Sequence, residues 1–269
     1  MIKKIRIYIV FILLISILGI SSIYFFTQTK EDMEQERIFE ELENIVQDVQ
    51  ANEEQEENKE TEKQEYNKES TKVYESKKID LQSLYEKNND FVGWLKIENT
   101  RISYPVMQTE CERKDYYLRK NFYKDYSYYG TPYIAEYCNI LKSDNIIIYG
   151  HHINGNKMFG ELEKYKNKKY YNEHKVIKFS TIYGEYEYEI IAVLKTAKDT
   201  GFKYYEFEKA RTQEEYSNFI SNCKELALYE TGITAEYGNK LLTLSTCDYS
   251  IQNGRLVVVA KQIASRVVV

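Results

Sequence analysis

Residues 7–26 (IYIVFILLISILGISSIYFF) form an apolar run without a charge. Twenty helical residues at about 1.5 Å each cover about 30 Å, the thickness of a bilayer's hydrocarbon. A retained single-pass anchor is therefore expected within residues 1–29. A cleaved signal peptide would have a shorter apolar region and a small-residue cleavage site, whereas the run ends in Ser-Ser-Ile-Tyr-Phe-Phe-Thr-Gln, a poor site. Residues 30–78 are polar and rich in Glu, Gln, Asn and Lys. Apolar residues at 38, 42, 45 and 49 give their first part a helical spacing, which predicts a short amphipathic or self-associating helix. The remainder reads as a solvated stalk.

From about residue 79 to 269 the pattern changes to short strand-like runs. Asp80 can cap a short helix through about Asn88. Strands are predicted at 93–97, 101–107, 131–136, 145–149, 176–182, 185–196, 240–246 and 255–263. The alternation is plainest in Tyr186-Glu-Tyr-Glu-Ile, as expected where one face is buried. Thr212-Gln-Glu-Glu215 is a capping-box pattern, opening a helix predicted to run to about Tyr229. Its apolar face would hold Tyr216, Phe219, Ile220, Cys223 and Ala227. The fold class is thus mainly β, one unit with peripheral helices. A closed barrel would remove exposed strand edges; composition alone leaves a sandwich equally open.

Charge adds an orientation. The net −5 divides into +3 over residues 1–29, −9 over 30–78 and +1 over 79–269. Lys3, Lys4 and Arg6 precede the apolar run and acids follow it, so the positive-inside bias puts the N-terminus in the cytoplasm and the rest outside. A nearly neutral folded region has no basic footprint, so nucleic acid is not an expected partner. The four cysteines, Cys111, Cys138, Cys223 and Cys247, make no recurrent disulfide framework and no CxxC metal pair. A Cys111–Cys138 bridge stays open in an oxidising compartment, and Cys223 is expected as a buried apolar thiol.

Cys247 ends the run Thr243-Leu-Ser-Thr-Cys247 and precedes a loop-like Asp-Tyr-Ser-Ile-Gln-Asn-Gly, a position that can meet solvent. Taken alone, a strand-end cysteine is more often a small packed hydrophobe. Two of the chain's three histidines, His151 and His152, follow Gly150 at the end of another apolar strand. Neighbouring strand residues point to opposite faces, so both cannot face one site without a distortion. Arg255 opens the strand after the cysteine loop; if that loop is a hairpin, Arg255 lies near Cys247. Thiol, imidazole and guanidinium are the parts needed for thiolate attack on an acyl group.

The run Thr243 to Cys247 resembles the TLxTC motif of the sortases, Gly150-His151 their glycine-histidine, and Arg255 their essential arginine. The resemblance extends over about residues 80–263, including Asp90-Phe-Val-Gly-Trp-Leu-Lys-Ile, Tyr104-Pro-Val-Met-Gln and Met158-Phe-Gly-Glu-Leu, and is to class B. It implies an eight-stranded sortase-type barrel over 79–269 and a cysteine transpeptidase that cleaves a C-terminal sorting signal after Thr. Cys247 would be the nucleophile, His151 the general acid and Arg255 the oxyanion donor. Tyr149, Ser245, Thr246 and Leu118 (in Asp115-Tyr-Tyr-Leu-Arg) would line the peptide groove, and the stretch 201–208 would select the peptide. The implied partners are surface proteins bearing sorting signals, a peptidoglycan precursor such as lipid II or another wall peptide amine, and the membrane through residues 7–26. No metal or cofactor is required. Asp248 departs from the expected class B pattern, in which an acid sits two residues after the cysteine, and that leaves a third catalytic acid open.

Unperturbed pKa values of about 8.5 for a thiol and 6.5 for imidazole leave the thiolate–imidazolium pair at only roughly 1% between those values, which predicts a slow enzyme. Two other readings fit the same residues: an anchored extracellular cysteine protease, and a non-catalytic domain binding peptide or wall polymer. The 27 tyrosines suit a contact surface as well as a core.

Overall fold

A computed structural model describes residues 2–61 and 81–267. Eight strands close into a barrel in the order β1-β2-β3-β4-β9-β10-β8-β7, with β7 pairing back onto β1. They are β1 (Phe91–Lys96), β2 (Ser103–Met107), β3 (Tyr133–Ile134), β4 (Asn145–Tyr149), β7 (Val176–Thr181), β8 (Gly184–Ala197), β9 (Leu241–Asp248) and β10 (Gly254–Val267). Each of the eight predicted strands has its counterpart, and closure decides for the barrel over the sandwich. Two pairs, β2–β3 and β4–β9, are parallel; the other neighbours run antiparallel.

The core is built from the alternating and continuous apolar runs. Leu95, Val106, Ile147, Ile148, Leu242, Leu244, Val257 and Val259 are all fully buried. Strands β4 and β9 are buried along nearly their whole length, which is why they read as continuous apolar runs rather than alternation.

Two short strands, β5 (His152–Ile153) and β6 (Lys157–Met158), form a separate hairpin that the hydrophobic pattern did not reveal. Two-residue strands carry no periodicity, and the turn is written only in Gly155 and Asn156, both with positive φ. Helix α4 (Gln213–Glu225) is capped by Thr212, whose side chain accepts from the Glu215 N–H, and it buries Tyr216, Phe219, Ile220 and Cys223. It stops short of Tyr229 because the chain turns to join β8: Ala227 bridges Leu194 and the Leu228 N–H donates to the Val193 carbonyl. The helix expected at 80–88 is α2 (Gln82–Lys87), with Leu81 at its N-cap; Asp80 lies outside the described residues. Helix α3 spans Lys168–Glu173.

All four cysteines are free. Cys111 is exposed and Cys138 buried, so the bridge left open by the sequence is not formed. Burial pushes the Cys138 thiol up to about 12 and raises that of Cys223 as well.

The first helix, α1, spans Ile2–Thr61. By length and composition it is the one helix among the described residues able to cross a membrane. Phe11, Leu14, Leu18 and Phe25 all face outward, as lipid contact would require. Contacts divide the chain into two units that meet between Glu40 and Glu41. The second unit therefore takes in part of the segment read as a stalk. Leu42 and Val46 are buried. The Glu43 carboxylate accepts from Ser103 Oγ at 2.9 Å, and that of Glu41 from the Tyr123 hydroxyl at 2.8 Å. Of the positions whose spacing predicted a helix, Leu42 is buried in this unit, and its buried neighbour one turn on is Val46 rather than Ile45.

Candidate active site

Cys247 and Arg255 face each other directly across the antiparallel β9–β10 pair. Opposite residues in such a pair share a face, with Cβ atoms about 4.5–5.5 Å apart. Cys247 is half-buried on a strand whose preceding six residues are buried, so the strand ends where the thiol reaches the rim. Arg255 Nη1 donates to the Gly254 carbonyl at 2.8 Å, which holds the guanidinium beside its own strand start.

On the other side of β9, parallel pairing carries β4 to the same end, with Tyr149 opposite Ser245. The Gly150 N–H donates to the Ser245 carbonyl at 3.1 Å, and Thr246 Oγ1 donates to the Gly150 carbonyl at 2.8 Å. Gly150 is required by close approach: a Cβ there would lie 2.5 Å from the Phe159 ring. His151 comes two residues after the end of β4, the strand next to that of Cys247. Thiol and guanidinium thus sit on the adjacent strands β9 and β10, and the imidazole two residues past the end of β4, at one end of the barrel.

The two histidines meet different partners, His151 lying between strands and His152 opening β5. His151 Nε2 lies 2.8 Å from the Leu118 carbonyl, and His152 Nδ1 lies 2.8 Å from the Cys247 carbonyl. A carbonyl only accepts, so each of these ring nitrogens carries a proton. His151 keeps Nδ1 as its remaining site for proton exchange. Burial first, then the positive charge of Arg119, hold the His151 pKa below its ordinary 6.5, against the raising effect of the bond to Leu118. The third histidine, His174, stacks on Tyr170 with ring centroids 4.1 Å apart, and its Nδ1 bonds the Tyr170 carbonyl.

The residues expected along a peptide groove have different surroundings. Tyr149 is half-buried, its ring 5.6 Å from that of Tyr133 and its hydroxyl 3.4 Å from that of Tyr137. Leu118 is half-buried on the short helical turn Tyr116–Arg119, and its carbonyl holds His151. Ser245 and Thr246 are buried. Ser245 Oγ shares a 2.6 Å hydrogen bond with the Tyr204 hydroxyl, which ties the 201–208 stretch to the strand carrying Cys247; Thr246 ties β9 to Gly150. Burial raises the Tyr204 pKa, while the Ser245 bond and the Arg255 charge act the other way. Tyr204 carried no motif of its own in the sequence; its stretch was marked only by the family resemblance.

Asp248 is buried and, by strand alternation, points to the face opposite Cys247. Its Oδ2 sits 2.9 Å from Lys166 Nζ and 3.1 Å from Lys195 Nζ. Burial alone would raise its pKa; hydrogen bonds from Ser250, Lys166 and Lys195 outweigh this and hold it far below the usual carboxylate range. A carboxylate so fixed, on the far side of the strand, is not placed to exchange a proton with His151. Among the described residues no cluster of side chains could hold a metal ion.

Comparison with known proteins agrees with this architecture. The sortase domain family matches residues 95–263. Sortase B of Staphylococcus aureus is 32% identical over 195 residues, covering 71% of this chain and 78% of that protein. Sortase B of Listeria monocytogenes is 32% identical over 196 residues, covering 71% and 77%. A solved Staphylococcus aureus sortase B–substrate complex superposes with a TM-score of 0.72 at 27% identity, covering 87% of this chain and 98% of that one. With a family match from β1 into β10 and relatives at this level of identity, the chain belongs to the sortase family, in its class B, and is a cysteine transpeptidase.

Proposed function

We propose that the enzyme cleaves a C-terminal sorting signal after threonine and transfers the surface protein to a peptidoglycan amine, with Cys247, His151 and Arg255 as the reacting set. The observation that carries this reading is the cross-strand pairing of Cys247 with Arg255 at the barrel end where His151 follows β4. The Cys247 thiolate attacks the threonine carbonyl carbon and the carbonyl electron pair moves to oxygen. Arg255 donates to that oxyanion. As the tetrahedral intermediate collapses, the C–N bond breaks and His151, as imidazolium, gives its Nδ1 proton to the leaving amine. A thioester remains on Cys247. An acceptor amine, such as that of lipid II, attacks it; neutral His151 takes the amine proton, and the thiolate leaves.

Tyr149, Leu118, Ser245 and Thr246 act here as peptide-groove and groove-framing residues, and the 201–208 stretch, anchored to β9 by Tyr204, selects the peptide. The test is product identity. Full-length protein in detergent, given sorting peptides with NPxT, SPxT or PPxT cores and an oligoglycine or diaminopimelate amine, should yield a ligated product. Free acid alone, unchanged by added amine, would instead make the protein a cysteine protease.

We also infer that residues 1–6 are cytoplasmic and the barrel is outside the cell. Lys3, Lys4 and Arg6 before the apolar run and the −9 stretch after it support this orientation. Protease added to intact cells should release a soluble catalytic fragment by cleavage within residues 30–78. A fragment protected until lysis would reverse the topology.

A further inference from the structure

Strand β4 ends at Tyr149, two residues before its parallel ladder with β9 would reach Cys247. The last rung is the Gly150 N–H donating to the Ser245 carbonyl. Continued in register, the next donor to β9 would be the backbone N–H of residue 152, aimed at the Cys247 carbonyl. That rung is not made from the main chain, because residue 152 has turned into the β5–β6 hairpin and pairs with Met158. Its side chain makes the bond instead: His152 Nδ1–H donates to the Cys247 carbonyl at 2.8 Å.

The imidazole is itself held. Its side chain is only 14% exposed, and Nδ1 lies 3.7 Å from Glu163 Oε1. The ring packs on Tyr249 with centroids 4.9 Å apart, and the Tyr249 hydroxyl points back at the His152 carbonyl at 3.4 Å. Glu163 pairs with Lys166 at 2.5 Å, and Lys166 pairs with Asp248 at 2.9 Å. Asp248 is the residue whose N–H belongs to the same peptide group as the Cys247 carbonyl. Ion pairs therefore run from Glu163, beside the His152 ring, through Lys166 to Asp248 at the Cys247–Asp248 peptide. The peptide is thus held by His152 at the Cys247 carbonyl and by Lys166 at the Asp248 side chain, at the point where the strand leaves its ladder.

We propose that His152 is a positioning residue for the nucleophile: its Nδ1–H replaces the missing rung and fixes the Cys247–Asp248 peptide, and with it the direction of the Cys247 thiol. The proposal rests on Cys247 being the acylated residue and His151 the proton donor. It assigns the second histidine of the pair a separate task on the opposite side of the strand. A thiol displaced by a loosened peptide still binds substrate, but it presents fewer attack-ready geometries.

The test uses full-length protein in detergent with the peptide that gives turnover in the ligation assay, comparing His152→Ala and His152→Asn with wild type in single-turnover acylation. The asparagine amide nitrogen is attached at the same branch point as Nδ1 and can restore the donor. Expected is a fall of about tenfold in the acylation rate for the alanine variant, the loss of one buried hydrogen bond. Its KM should stay within about twofold, and the asparagine variant should recover most of the rate. Wild-type acylation in His152→Ala, or an asparagine variant as slow as the alanine one, overturns the proposal. If His152→Ala does not fold, His152→Leu, which matches asparagine in shape without the donor, takes its place with the same two readings. His151→Ala run alongside separates the claims: activity retained there rejects the proposed proton donor, whereas an inactive His151→Ala with an unaffected His152→Ala rejects the positioning role alone.

Discussion

Replacing His151 with alanine should lower single-turnover acylation of Cys247 by about 10²–10⁴-fold, the usual worth of a placed general acid, with the fold retained. The ring is half-buried and bonds through Nε2 to the Leu118 carbonyl at 2.8 Å, so its loss removes the proton donor and one hydrogen bond without opening the barrel core. The pH profile of the wild type carries a second signature of the same residue. Burial and Arg119 hold the His151 pKa below 6.5. Where the reactive form is thiolate plus imidazolium, the rate is flat between the two pKa values. Below the imidazole's pKa, further protonation of the thiolate is no longer offset by a gain of imidazolium, so the rate falls. The acid limb should therefore lie below pH 6.5. Arg119→Gln, which removes a positive charge that disfavours imidazolium, should move that limb upward and raise the plateau. Stopped acylation reactions between about pH 5 and 9 check both; a limb above 6.5, or one moved downward by the substitution, contradicts the assignment.

Arg255→Lys should lose most of the activity although the charge is kept. A carbonyl becoming an oxyanion needs a donor aimed at the developing charge, and lysine is a flexible, strongly hydrated point charge without the guanidinium's planar fork. Loss of one such donor typically costs about 10²–10³ in rate, or roughly 3–4 kcal/mol. The position favours this reading, because Arg255 is the direct cross-strand partner of Cys247 and its Nη1 is already steadied by the Gly254 carbonyl. Acylation measured side by side in wild type, Arg255→Lys and Arg255→Ala distinguishes the cases. Near-wild-type rates in the lysine variant would mean that charge alone suffices. Near-wild-type rates in both would remove Arg255 from the reaction.

The eight barrel strands were legible because each is long enough for a period of two or for a continuous apolar run, and the hairpin argument placed Arg255 beside Cys247 because antiparallel neighbours in sequence are neighbours in space. The β5–β6 hairpin was not legible, since two-residue strands have no period. The end of α4 was missed because it is set by pairing with Val193 and Leu194, distant in sequence. Strand alternation alone implied that His151 and His152 diverge, whereas Asp248 was read as loop and only the longer β9 puts it on the face opposite Cys247. What each meets there could not be read, because Leu118, Lys166 and Lys195 arrive from other elements. Leu118 shows the limit most plainly. Its family-implied place in the groove concerns its side chain, whereas its contact with His151 is through a backbone carbonyl, which every residue has.

The parallel pairing of β4 with β9 has a consequence for biogenesis. Thr246 and Gly150, the residues that join these strands at the rim, are 96 positions apart, and β9 is closed on its other edge by β10, the last strand of the barrel. Contacts of such long sequence separation form late, after the entropy of closing the intervening chain has been met. A partly emerged polypeptide thus has its histidine strand but no reactive centre. Activity waits for β10, so the chain stays inert until that strand has left the ribosome and closed onto β9.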